Sequence, residues 1–269
     1  MKAKTKHPLL MGILNITPDS FSDGGKFSSL NKAVLRGIQM AEEGADIVDI
    51  GGESTRPGSK PIQAEEEIKR VVPVIKALRK KIKIPISVDT YKSEVAAAAL
   101  DEGADIINDI SALRMDEKTG ILAAKRKVKI ILMHMQGTPA DMQKNPKYKN
   151  VIAEIVLFFK QRLKKAKELG IAENKIIIDP GIGFGKTLEH NLEIIKRLEE
   201  FKILGRPVMI GPSRKSFIGK ILGLGVSERL EGTAAVAAIS IFNGADIIRV
   251  HDVKEIKRVI ETAWKIYSI

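Results

Sequence analysis

One pattern recurs three times along this chain: Glu43-Gly-Ala-Asp-Ile-Val-Asp-Ile50, Glu102-Gly-Ala-Asp-Ile-Ile-Asn-Asp109 and Asn243-Gly-Ala-Asp-Ile-Ile-Arg-Val250. A glycine just past a helix suits a left-handed cap, and the β-branched run after it suits a strand buried on both faces, as in a parallel sheet. The repeated unit is a helix end delivered into a parallel strand. Extending it places strands near 9–15, 46–50, 85–89, 105–109, 129–134, 175–179, 207–211 and 246–250, with helical patterns between them. The clearest helices are 64–79, with Ile68, Val71, Val72, Ile75 and Leu78 on one face, then 151–169, and 253–266 behind an Asp252-x-x-Glu255 capping box. Eight such units in 269 residues predict an α/β chain forming a single (β/α)8 TIM barrel, with 1–269 as one domain. A doubly wound open sheet is the alternative, because periodicity does not report closure.

Composition narrows the function. The chain has no cysteine, which excludes disulfides, thiolate metal sites and cysteine nucleophiles and fits a reducing compartment. Its formal charge of +12 raises nucleic-acid binding, with basic clusters at 79–83, 125–129 and 160–167. Those clusters fall on or beside predicted helices, where Lys and Arg form a solvated face, and aromatics make up only 4% of the chain. The expectation is no nucleic-acid partner and a positive field that steers anionic small substrates inward. The basic start, 1–6, leads into only a short apolar run followed by Asn-Ile-Thr-Pro-Asp, so neither a spanning helix nor a cleavable leader is expected. A cytoplasmic protein without membrane attachment follows as the expectation.

The residues that end the strands carry the chemistry, since barrels build their sites at the carboxyl ends of their strands. In chain order they are Asn15, the run Glu53-Ser-Thr-Arg-Pro-Gly58, Asp89, Asn108, His134, Asp179, Ser213-Arg-Lys215, and Arg249 with His251. Any one alone reads as a cap or a satisfied structural polar group. Their convergence does not. Asp89, Asn108 and Asp179 offer two carboxylates and an amide, a set suited to the donor edge of a flat nitrogen heterocycle. Paired carboxylates equally suit acid–base chemistry or a metal. Arg249 and His251 leave the last strand on one face, near the basic loop at 213–216, where barrels often take phosphate. The segment Asp179-Pro-Gly-Ile-Gly-Phe-Gly-Lys-Thr187 is one residue short of a Walker loop; its glycines instead allow close backbone approach and expose Phe184 as an apolar wall. His134 reads as a ligand contact or a hydrogen-bonded strand-end histidine, and no histidine pair has metal-ligand spacing. Mg²⁺ held mainly by substrate phosphates, with Asn15 as a protein ligand, fits this set.

Long motifs in order carry a resemblance: Met11-Gly-Ile-Leu-Asn-Ile-Thr-Pro-Asp-Ser-Phe-Ser-Asp-Gly-Gly25, Glu53-Ser-Thr-Arg-Pro-Gly58, Ser87-Val-Asp-Thr-Tyr91, Ile107-Asn-Asp109, Leu132-Met-His134, Asp179-Pro-Gly-Ile-Gly-Phe-Gly185, Ser213-Arg-Lys-Ser-Phe217 and Arg249-Val-His251. Nearly end to end, the chain resembles the dihydropteroate synthase family of folate biosynthesis. That resemblance implies condensation of 6-hydroxymethyl-7,8-dihydropterin diphosphate with 4-aminobenzoate, Mg²⁺, sulfonamide sensitivity and a homodimer. It assigns the pterin to Asp89, Asn108, Asp179, Lys215 and Arg249, and the diphosphate to Asn15, Thr55, Arg249 and His251. It assigns 4-aminobenzoate to Phe21, Arg56, Pro57, Phe184, Lys215 and Ser216. Asp23, Lys215, Arg249 and His251 are the groups expected to act on the reaction itself, and the loop 17–25 is expected to be displaced unless both substrates are bound. A corrinoid-dependent pterin methyltransferase is the neighbouring alternative; it needs no diphosphate site.

Overall fold

The computed structural model describes residues 7–16, 25–55 and 58–269. Its strands are β1 (Leu9–Asn15), β2 (Ile47–Gly51), β3 (Ile86–Asp89), β4 (Ile106–Asp109), β5 (Lys129–Met133), β6 (Ile176–Asp179), β7 (Met209–Ile210) and β8 (Ile247–Val250). Between and after them run α1 (Gly25–Glu42), α2 (Ala64–Arg79), α3 (Ser93–Asp101), α4 (Lys118–Arg126), α5 (Val151–Glu168), α6 (Leu188–Lys196), α7 (Ser216–Leu222), α8 (Leu230–Phe242) and α9 (Val253–Tyr267). Among the described residues the strand pairs are all parallel, in the order β6-β5-β4-β3-β2-β1-β8-β7. The two ends of that order meet at a parallel bridge between Ile178 and Val208, where the Ile178 N–H donates to the Pro207 carbonyl at 3.0 Å. The sheet thereby closes into a (β/α)8 barrel, and the open doubly wound alternative falls. β7 starts later than the sequence predicts: Pro207 has no N–H to give to a ladder, and the Val208 N–H goes to the Asp246 side chain instead.

The repeated Gly-Ala-Asp does two jobs at the amino ends of the strands. Gly44, Gly103 and Gly244 take φ of +97°, +105° and +94°, the left-handed turn out of each preceding helix. The aspartate that follows then accepts a backbone N–H from the adjacent strand: Asp46 from Leu10 at 2.8 Å, Asp105 from Ile86 at 2.9 Å, and Asp246 from Val208 at 2.7 Å. These three acids staple neighbouring strands at the face opposite the site.

Strand alternation sorts the side chains. Leu10, Val48, Ile50, Val88 and Ile107 point outward and pack under the helices. Met11, Ile47, Ile106, Ile131, Ile177, Met209 and Ile247 fill the barrel. Two residues further along, the same inward parity brings up Asp49, Asn108, Met133, Asp179, Gly211 and Arg249, so an apolar plug supports a polar floor.

The basic clusters lie on or beside the helices and are partly paired, as in Arg79 with Asp105, Arg126 with Asp101 and Lys165 with Glu117. At the start of α9 the expected box does not form: Asp252 makes no side-chain cap there and instead holds Arg214 through both carboxylate oxygens at 2.9 and 2.6 Å. A bidentate charged pair is stronger than one cap bond. A capping box forms instead at α6, between Thr187 and His190. No helix among the described residues is long and apolar enough to cross a membrane.

Candidate active site

At the carboxyl end of the strands, a cleft is lined by Thr55, Asp89, Asn108, Asp179, Phe184, Lys215 and Arg249, together with Ile110, Met133, Ile182 and Gly211. Arg249 is its centre. Its Nε donates to Asp49 Oδ2 at 2.7 Å and its Nη2 to Asp89 Oδ2 at 2.6 Å. Burial opposes the guanidinium charge, yet Asp49 and Asp89 together hold its pKa above the ordinary value. Asp49 also accepts from Asn108 Nδ2 at 3.0 Å, and its side chain is 0% exposed.

The carboxylates are not ordinary ones. Burial raises Asp89 to about 7, Arg249 pulls it back down, and the neighbouring Asp49 charge pushes it up. Asp179 is likewise raised by burial, although its Oδ1 accepts the Gly181 N–H at 2.8 Å. Lys215 is lowered to about 8 by burial and by Arg249, and its Nζ sits 4.2 Å from the centre of the Phe184 ring. Buried and without a hydrogen-bond partner are Asp49 Oδ1, Asn108 Oδ1 and Ser87 Oγ. A floor carrying unsatisfied acceptors is costly unless a ligand brings donors to it.

A second group stands beside it. Asn15 Nδ2 donates to His251 Nε2 at 3.3 Å, and His251 Nδ1 meets Ser213 Oγ at 2.9 Å, which makes the ring neutral with its proton on Nδ1. Burial and the Arg249 charge lower His251 to about 4. Arg36 fixes the His251 backbone by donating to its carbonyl at 3.1 Å. The loop carrying Lys215 is pinned by Arg214, which adopts φ +53° and binds Asp252.

The structure thus gathers Asp89, Asn108, Asp179, Thr55, Lys215, Phe184 and Arg249 around one cleft, with Asn15 and His251 as a linked pair. Ser216 opens α7 and is exposed. Phe21, Asp23, Arg56 and Pro57, and with them the expected displacement of 17–25, lie outside the described residues. His134 is buried and structural: its ring packs edge-on against Phe158 at 4.8 Å, and its Nδ1 lies 3.0 Å from Lys186 Nζ. Among the described residues no cluster of three or more His, Asp or Glu could hold a metal ion. Sequence reading missed Asp49, Ser213 as the partner of His251, and Lys186. Only Asp49 had a signal, being an acid at inward parity between Ile47 and Gly51.

Fold and site define a class: a parallel barrel whose strand ends present acidic acceptors for a nitrogen heterocycle beside a cationic and imidazole group for an anion. The chain belongs to the pterin binding enzyme family, which it matches over residues 11–251. It is 47% identical to the dihydropteroate synthase of Synechocystis over 264 residues, 97% of this chain and 91% of the relative. It superposes on the Yersinia pestis dihydropteroate synthase solved with a sulfonamide drug, with a TM-score of 0.93, 42% identity and coverage of 98% and 95% of the two chains. The Clostridium difficile dihydropteroate synthase solved in the presence of pteroic acid gives a TM-score of 0.93 at 44% identity, covering all of both chains. Its activity is that of these relatives: a dihydropteroate synthase transferase of folate biosynthesis.

Proposed function

We propose that the cleft binds the pterin on Asp89, Asn108, Asp179, Lys215 and Arg249, and that the Asn15–His251 pair with Thr55 and Arg249 receives the diphosphate. The observation that carries this reading is the layout around Arg249, whose guanidinium joins the acidic floor to the neighbouring His251 group. Ring and amino N–H groups of a pterin supply the donor that the buried Asn108 Oδ1, at the cleft wall, lacks.

The reaction is a dissociative substitution. The bond from the pterin methylene to the diphosphate oxygen breaks with its electron pair leaving on pyrophosphate; the amine nitrogen of 4-aminobenzoate then bonds the methylene and loses a proton. Arg249 and Lys215 sit where their charge offsets that of the departing group. His251, neutral in the free site, gains proton affinity once a diphosphate is beside it, and so can donate to the leaving oxygen. Asp23 would stabilise positive charge on the pterin side. Phe184, Lys215, Ser216, Phe21, Arg56 and Pro57 would form the aminobenzoate pocket, and loops 17–25 and 54–59 would exclude water on closing.

The donor set fits Mg²⁺ carried by the substrate, because Asn15 offers one neutral oxygen while Asp49 and Asp89 are engaged by Arg249. When bound, the ion would neutralise charge on the diphosphate. We further propose a single functional domain over 1–269, a cytoplasmic location, inhibition by sulfonamides, and a homodimer. The dimer is supported by the exposed row Ala235, Ile239 and Phe242 on α8, which adjoins Tyr267 and Ile266 of α9.

The test is pyrophosphate release from the two substrates with Mg²⁺, comparing wild type with Asp23→Ala and Arg249→Ala. Turnover by wild type and a loss of about 100-fold in Arg249→Ala are expected. A fully active Arg249→Ala overturns the assignment around it, and a fully active Asp23→Ala removes that role alone.

A further inference from the structure

Lys186 belongs to neither group described above, yet it is 3% exposed and turned inward from the loop after β6. Its Nζ donates to Phe184 O at 2.9 Å and lies 3.0 Å from His134 Nδ1 and 3.4 Å from His134 O. An ammonium has three N–H groups, and these three acceptors match them. None is a carboxylate, and a buried cation without a directly bonded anion is costly. An apolar side chain would fill the same space without that cost, so the amine needs a reason in what it fastens.

It fastens Phe184. The loop is built on Gly181, Gly183 and Gly185 with φ of +69°, +81° and +61°, and two of these lie against the residues that end β5: a Cβ would meet His134 O at 2.0 Å from Gly181 and Gln136 O at 2.7 Å from Gly185. Gln143, Tyr148 and Asn191 hold the glycines through Gly183 O, Gly185 O and the Gly183 N–H. The Phe184 carbonyl is held by Lys186.

We propose that Lys186 is a positioning residue for the aminobenzoate subsite: its ammonium ties the Phe184 carbonyl to the His134 end of β5 and so sets the Phe184 ring against Lys215. This rests on the reading that Phe184 lines that subsite. Burial lowers Lys186 to about 7, with Asp179 opposing the shift and Lys215 adding to it. Burial also holds His134 well below its ordinary value, helped by Lys186 and Arg114, so the imidazole stays neutral and its Nδ1 can accept. Facing the amine are therefore His134 just after β5, Asp179 from β6 and Lys215 from the loop after β7, with Arg114 beyond His134. Once Lys186 loses its proton it has two N–H groups for three acceptors, and the tie weakens as pH rises through neutrality.

Steady-state kinetics of Lys186→Met, Lys186→Gln, Phe184→Ala and Lys186→Met/Phe184→Ala test this, with thermal unfolding to establish that each is folded. Lys186→Met is expected to raise KM for 4-aminobenzoate about tenfold, as for loss of one charged hydrogen bond, and to leave KM for the pterin diphosphate within about twofold. The double variant should be no worse than Phe184→Ala, and the part of the rise in aminobenzoate KM that sets in near pH 7 should vanish in Lys186→Met, leaving the limb that Lys215 sets near 8. Lys186→Gln, which keeps one donor, should fall between; if Lys186→Met does not fold, it carries the same comparison. An unchanged aminobenzoate KM in the Lys186 variants, equal rises in both KM values, or additive effects in the double variant overturn the positioning role. An unchanged aminobenzoate KM in Phe184→Ala overturns the subsite reading instead, and the route through Phe184 with it.

Discussion

Asp49→Asn isolates the group that sequence reading missed. The side chain keeps its shape, and Asp49 touches the reaction only through Arg249 and Asn108, at 2.7 and 3.0 Å. A hydrogen bond to a charged group contributes about 1.5–3 kcal/mol, and breaking a buried ion pair outright costs about 3–5 kcal/mol. Arg249 keeps Asp89 at 2.6 Å, so the smaller figure applies. A loss of about 2 kcal/mol is roughly a 30-fold fall in kcat/KM for the pterin diphosphate. Continuous pyrophosphate release at saturating 4-aminobenzoate measures it, and KM for 4-aminobenzoate should stay within about twofold.

The pH profile supplies an independent sign. Asp89, raised to about 7, accepts pterin donors in its ionised form, so kcat/KM should climb as pH rises through that value. The Asp49 charge is one cause of the raised value, so Asp49→Asn should shift the acid limb to lower pH while lowering the plateau. A plateau within threefold of wild type, or a limb that stays or moves to higher pH, refutes the reasoning.

Three further outcomes follow from the structure. Asp246→Ala strips the acceptor from the Val208 N–H and the partner from Lys202, and should cost about 1–3 kcal/mol, lowering Tm by roughly 2–10 °C without changing kcat/KM, because the staple lies at the far face of the barrel. Gly181→Ala places a Cβ 2.0 Å from His134 O at φ +69°, and should lower stability by about 3 kcal/mol and weaken pterin binding, both read by thermal unfolding with and without ligand. Phe242→Glu puts a charge in the exposed row of α8, and should yield a monomer by sedimentation; an unchanged sedimentation coefficient places the contact elsewhere.

Much of the site was legible because barrel strands end where their apolar runs end, so Asn15, Asn108, Asp179 and Arg249 stand out as the first polar residues met and Asp89 as the charge that closes its strand. The hidden residues are hidden for different reasons. Asp49 sits inside an apolar strand, within a repeat whose neighbouring aspartate is structural, and only its parity separates the two roles. Lys186 lies between a glycine and a helix start, where a lysine ordinarily faces water. Asp252 carries the right spacing for a cap, but spacing cannot show that Arg214, 38 residues earlier, competes for it.

Local sequence determined the repeating helix-to-strand unit, its left-handed glycines and the polar strand ends, because these depend on backbone preference and burial period, which neighbours along the chain dictate. Closure of the barrel through Ile178 and Val208, the double grip of Asp49 and Asp89 on Arg249, and the inward turn of Lys186 were decided by tertiary structure alone. Each joins groups far apart in sequence. Their charges and pKa values come from shared burial, a property no segment has before the barrel shuts.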